Sequence, residues 1–440
     1  MEKNAIRILI LALLNVLLLF IAHLINNQIL ILGSLVFMIL LVLISKSKYF
    51  LSLMLFYLPW SPVLKIAPGS ISFSTIAIIL MLIKLFFWEK AKVPKKECLI
   101  IAILLIFTTI AKIILGHVYT LDYFLFLIML LFFVIYCRNY HDELSFPTAS
   151  YFLTFGIIAA CFASLNLMDL PHMQGYINVY TWENKGLVRL SGFYGDSNFY
   201  SAQLLVAITC NLFLLIFQKG NLKILTVILL VTLIYCGSLS VSKSFILILA
   251  ITLLLWLINV LFLKKQGKLK VFILITIIVI GVLITSFGLF ADEIEMYMVR
   301  FGMVENVSSL TTGRSDILEN YLNFFYRNPL MLITGQGYTN ILYDAVNNRA
   351  SHNTIIQMLY QFGIIGTIIL INWIVSLSQY FKNKTQKNSL VYIGLLITIL
   401  VGFYSSWVAL DMLYFDDFFY FIVLFLVIKK YIAEELKKEE

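Results

Sequence analysis

Charge is scarce in this sequence. Of 440 residues, 12% are Asp, Glu, Lys or Arg against 61% hydrophobic, and the mean hydropathy is +0.96. That deficit excludes a soluble globular domain, because stretches of about 20 apolar residues, each long enough to cross a bilayer, recur along most of its length. Cysteine is also sparse. Cys98, Cys137, Cys161, Cys210 and Cys236 lie in or beside apolar segments, and none forms a C-x-x-C pair. Neither a disulfide framework nor a cysteine metal site is supported, and the plain reading is small buried apolar residues. Internal repeats and low-complexity tracts are missing as well. The net charge of +9 is carried mostly by short Lys clusters between apolar runs, a matter of membrane topology that gives no reason to expect a nucleic-acid partner.

What is present is a series of about 12 to 14 candidate transmembrane helices between 6–25 and 411–428, the range reflecting segment 49–64, which Pro59 and Pro62 interrupt. The first run follows Lys3 and Arg7 like a signal peptide. It is too long for a signal core and lacks a small-residue cleavage site, so it reads as a retained first helix. If the spans alternate, 22 of the 32 basic residues fall on one side, which the positive-inside bias makes cytoplasmic, with both termini there. Nine fall outside: Lys65, Lys112, Lys185, Arg189, Lys243, Arg300, Arg314, Arg327 and Arg349. The inner side is mostly lysine, which suffices for an insertion bias. The outer side is mostly arginine, which suits bidentate binding of an anion. The expected fold is all-α: one polytopic membrane domain, 1–440, with external loops at 169–196 and 291–351, the larger carrying an amphipathic helix.

The first external segment holds Arg189, then Gly192, Gly195, Asp196 and Asn198. An ordered loop ending in a capped helix accounts for Asp196 and Asn198, since Asp196 or Ser197 can cap the next span. It does not account for Arg189. In the second segment Gly313-Arg314 precedes Ser315, a candidate cap for an amphipathic helix that ends at Asn328-Pro329, with Arg327 in its last turn. Gly335-Gln336-Gly337 then predicts a tight turn. The chain re-enters the membrane at Arg349-Ala350-Ser351-His352-Asn353. His352 falls in the first turn of the next span, where a neutral imidazole could act as general base. Asn353, Gln357 and Gln361 follow at i, i+4, i+8, a polar stripe that is either interhelical hydrogen bonding or a cavity wall.

This order (Arg189 before a Gly/Asp/Asn turn, Gly313-Arg314, Asn328-Pro329, Gly335-x-Gly337 and His352-Asn353) resembles the O-antigen polymerase and O-antigen ligase superfamily over roughly 185 to 375. The resemblance implies a membrane glycosyltransferase of the bacterial inner membrane, without metal or other cofactor, using undecaprenyl-diphosphate-linked oligosaccharides as donor and acceptor. It implies donor-diphosphate binding by Arg189 and Arg314 and catalysis by His352, with Arg349, Asp196, Asn198, Asn353 and Gln357 as supporting candidates. A chain-length regulator is a possible partner. Inversion at the anomeric carbon follows if displacement is single-step. The external segments show no DxD pair to hold a divalent ion, although Asp292, Glu293 and Glu295 lie close together. Polymerase is the favoured activity, because every lipid-linked surface-polysaccharide system needs one. The alternatives are a ligase acting on lipid A core and, of another class, a lipid-linked repeat-unit flippase. A flippase is expected to place charges at mid-span rather than outside.

Overall fold

The computed structural model describes residues 2–65, 71–177, 180–182, 187–263, 313–338, 350–382 and 390–439, with isolated positions between 295 and 302. The candidate span 270–290 and much of loop 291–351, including Arg300 and Arg349, lie outside the described residues. Nine helices among the described residues are long and apolar enough to cross a membrane, from Lys3–Leu24 to Leu390–Ala409. In hydrocarbon each segment must satisfy its own backbone N–H and C=O groups, so long apolar runs become helices. Gln28–Ile44 and Phe73–Phe87 are shorter apolar helices, and a final helix runs Asp417–Glu439. Among the described residues the strands are only two or three residues long, Tyr180–Trp182 against Leu187–Arg189 and Val118–Tyr119 parallel to Gly337–Tyr338, so the chain is an all-α polytopic membrane protein.

Segment 49–64 does not cross the bundle as one helix. It forms a helix of eight residues, Phe50–Tyr57, then a single 3₁₀ turn, Leu58–Trp60. Eight residues rise only about 12 Å. Every side chain from Tyr49 to Trp60 is nonetheless buried. Irregular backbone at membrane depth is tolerated where protein covers it. The cover is helix Phe146–Leu167, whose Gly156 lies so close that a Cβ there would meet the Phe56 carbonyl oxygen at 2.1 Å. Trp60 Nε1 donates to the Gly156 carbonyl at 3.1 Å. The Ser197–Phe217 helix is central and buried along almost its whole length, whereas Lys95–Leu115 turns most of its surface outward, as a lipid-facing edge helix does.

The loops sort to two ends of the bundle. One end gathers Glu2 with Lys48, Ser47 with Glu89 and Lys430 with Asp142. The other gathers the turns around Leu58, Thr120, Leu190–Tyr194 and Leu239: the Tyr194 hydroxyl donates to Leu58 O at 2.8 Å, Leu190 N to Leu239 O at 2.9 Å, and Thr120 N to Tyr338 O at 3.0 Å. Tyr338 there also reaches Leu413 O at 2.8 Å.

The amphipathic helix is present as Arg314–Arg327. Gly313, with φ +78°, opens it in place of Ser315, which lies inside the first turn and donates to Asp316 at 3.1 Å. Its buried face is narrow: Ile317, Tyr321 and Phe325 pack on Ile356 and Tyr360, while Leu318, Leu322 and Tyr326 stay exposed. The i, i+4, i+8 spacing of the buried three makes one stripe, which is all that a single neighbouring helix can cover.

Candidate active site

The site lies at the second end of the bundle, and two capped helices build it. Ser197–Phe217 begins at Asp196, whose Oδ1 accepts from Asn198 N at 2.7 Å and from Asn198 Nδ2 at 3.0 Å. Asn198 Oδ1 in turn accepts from Ser242 Oγ at 3.1 Å. Arg189 arrives on the second strand of a small hairpin, Tyr180–Trp182 with Leu187–Arg189, which the expectation of a turn-rich loop did not include. Its Nε donates to Ser240 O at 3.2 Å and its guanidinium also bonds the Ser197 hydroxyl. Between Ser240 and Ser242, the buried Val241 takes φ +44°. A β-branched residue in that region is strained by an amount on the order of 1–3 kcal/mol. The Arg189 and Asn198 contacts to its two neighbours help to hold it there.

The second helix, Thr354–Tyr380, begins at Asn353, whose Oδ1 accepts from Ile355 N at 3.0 Å and Ile356 N at 3.2 Å. His352 therefore stands just before the cap and not in the first turn, and its backbone is left-handed, φ +46°. A buried carboxylate missing from the sequence-derived candidates sustains that turn. Asp411 accepts from the Ser351 hydroxyl, from His352 N at 3.0 Å and from Asn353 N at 3.3 Å. The 410–413 loop clamps the helix start further: Thr354 Oγ1 donates to Leu410 O at 2.7 Å, and Gln357 Oε1 accepts from Leu413 N at 3.1 Å. Asn353 and Gln357 are thus engaged in local hydrogen bonding. Gln361 is fully buried, with no hydrogen bond to its amide among the described residues.

Arg314 connects the two halves. Burial pushes its guanidinium pKa down, and the charges of Asp196 and Asp411 act the other way. One cation is therefore within electrostatic reach of both helix-start carboxylates. Arg189, Asp196 and Asn198 share one side of the site, His352 and Asn353 share the other with Asp411, and Arg314 reaches both. Arg327 closes the far end of its helix, about 20 Å along the axis at 1.5 Å per residue.

Asp411 had a signal in the sequence. A span drawn from 411 treats Asp411, Asp416 and Asp417 as membrane-embedded, and carboxylates in such a place mark function by default. Asp411 and Asp196 flank the site, and Asp416 and Asp417 line a neighbouring cavity of about 490 Å³. Among the described residues no group of three or more His, Cys, Asp or Glu is placed to hold a metal ion.

A family model described as O-antigen ligase matches residues 224–371, a stretch that contains both Arg314 and His352. An O-antigen polymerase of Salmonella muenchen is 29% identical over 201 residues, 45% of this chain and 48% of that protein, so the match spans about half the length of the relative. Over those stretches, and in its all-helical polytopic fold, the chain is similar to the O-antigen polymerase and O-antigen ligase superfamily.

Proposed function

We propose that the chain is a bacterial surface-polysaccharide polymerase. It transfers a glycan from undecaprenyl diphosphate to the non-reducing end of another lipid-linked repeat unit on the outer face of the inner membrane. The observation that supports this reading is that the Arg314 charge interacts with both Asp196, at the helix start that Arg189 bonds through Ser197, and Asp411, which accepts the His352 backbone N–H. An acceptor hydroxyl oxygen attacks the anomeric carbon, and the bond from that carbon to the diphosphate oxygen breaks. The electron pair leaves with the diphosphate, which Arg189 and Arg314 bind. His352 takes the hydroxyl proton. A single displacement inverts the anomeric centre. Asp411 is a positioning residue, since it accepts the His352 backbone N–H and fixes the turn that presents the imidazole.

Ligase activity is the second reading, favoured by the description of the matching family model. One experiment separates the two. Purified chain in nanodiscs, given its host's lipid-linked repeat units, is expected to make a ladder of longer lipid-linked oligosaccharides and to release undecaprenyl diphosphate. Transfer to lipid A core without a ladder would instead establish the ligase. Neither product would overturn the transferase reading.

A further inference from the structure

Beside the arginine-bearing locus lie two connected cavities. The smaller, about 350 Å³, is bordered by Asp196, Phe193, Tyr194 and Tyr176. The larger, about 490 Å³, reaches from Tyr194 to Asp122, Asp416, Ser72 and Thr75. Pro62, Lys65, Tyr194 and Phe415 line both, so the two form one trough that begins at Asp196 and extends to Asp416. Its combined volume falls in the range of ligand sites, roughly 300–1,000 Å³.

The lining decides what can enter. Asp122, Asp416 and Lys65 line this space and, among the described residues, no arginine does, so it offers an anionic diphosphate no bidentate partner, whereas the arginine side does. The remaining wall mixes hydroxyl-bearing side chains (Ser61, Ser72, Thr75) and aromatic ones (Phe126, Tyr414, Phe419) with aliphatic ones such as Leu125 and Met129. A sugar ring presents hydroxyls around its rim and apolar C–H faces, and it matches carboxylates and hydroxyls beside aromatic rings. The carboxylates are held in place. Gln203 Nε2 donates to Asp417 at 2.7 Å, Tyr194 bonds it at 3.2 Å, and Ser74 donates to Asp416 at 3.4 Å. Tyr194 is also tied to Leu58 O, so the Pro59–Pro62 corner that ends the Phe50–Tyr57 helix shapes this wall.

From this division of the lining we infer that the trough is the acceptor subsite and binds uncharged sugar rings of the acceptor repeat unit. Asp416, Asp122 and Lys65 bond their hydroxyls, and Asp196 marks its junction with the donor diphosphate. The inference rests on the glycosyl-transfer reading above and specifies where that reaction's second substrate lies.

The test titrates two probes separately into purified chain in nanodiscs: undecaprenyl diphosphate, and the host's repeat-unit oligosaccharide released from its lipid by mild acid. Asp416→Asn and Lys65→Gln are each expected to weaken oligosaccharide binding about tenfold or more, near 1.4 kcal/mol, while leaving undecaprenyl diphosphate affinity unchanged. Arg314→Lys is expected to do the reverse. Because Asp416 borders the buried core, Lys65→Gln decides if Asp416→Asn does not accumulate. Unchanged oligosaccharide affinity in the variants would overturn the subsite, and so would equal loss of both probes, the mark of a packing defect. A wild-type chain that polymerises normally beside such a result leaves the transferase reading standing. A wild-type chain that neither polymerises nor binds undecaprenyl diphosphate removes that reading itself.

Discussion

His352 occupies a backbone region that ordinary residues avoid, at φ +46°, and Asp411 holds it there through three hydrogen bonds to the 351–353 turn. Those two facts separate its chemical role from its structural one. Glycine adopts a positive φ without strain, so His352→Gly should be more stable than His352→Ala by about 1 kcal/mol, readable as a difference in thermal midpoint in detergent. If the imidazole is the general base, both variants lose polymer by a factor on the order of 10²–10⁴, and single lipid-linked repeat units accumulate at normal protein levels. Long chains from His352→Gly would remove the imidazole from catalysis. At Arg314 the expected outcome concerns geometry. Lysine keeps the charge but not the planar fork, so Arg314→Lys should lose undecaprenyl diphosphate affinity nearly as far as Arg314→Ala. Full retention by the lysine variant would show that charge alone suffices.

At the scale of an element, the helix Arg314–Arg327 is what carries Arg314 to the site, and one stripe of three side chains docks it. Tyr321 is completely buried and meets Tyr360 edge-to-face at 5.3 Å between ring centroids. Removing such a ring costs roughly 3–5 kcal/mol in a packed core. That exceeds what the rest of a short docked helix supplies, so Tyr321→Ala should release the helix and abolish polymer while the membrane bundle still accumulates. Tyr326, 88% exposed on the opposite face, should tolerate alanine. Equal activity of the two variants would mean that the helix need not be docked. This helix was legible in the sequence because its apolar spacing and its Asn328-Pro329 stop are local signals. Its opening was misread because Ser315 and Gly313 are both plausible starts, and the left-handed backbone at Gly313 decided between them. The Tyr180–Arg189 hairpin gave no comparable signal, since two three-residue strands are too short to show alternation.

At the scale of the whole molecule, the contacts place the lysine-rich segments at one end of the bundle and the arginine-bearing site at the other. If the positive-inside bias sets the orientation, the site faces outward. In a chain carrying Cys98→Ser, Tyr326→Cys should react with an impermeant thiol reagent when only the outer envelope is opened. Lys92→Cys should react only after the inner membrane is lysed. The opposite pattern would invert the molecule and place donor binding on the cytoplasmic face.

Hydropathy and charge are summed over many residues, so the sequence alone determined the all-helical membrane architecture and marked Arg189, Arg314 and His352 as candidates worth testing. Segment 49–64 was ambiguous at that level, because composition cannot show whether an apolar run interrupted by proline is covered by lipid or by protein. Only the tertiary structure brought Asp411 under the His352 turn, a contact 59 residues apart in the chain, and joined Lys65, Tyr194 and Asp416 around one space. Hydrogen bonds and cavities depend on which loops meet at one end of the bundle. That is fixed by the packing of helices distant in sequence, and no local pattern of residues records it.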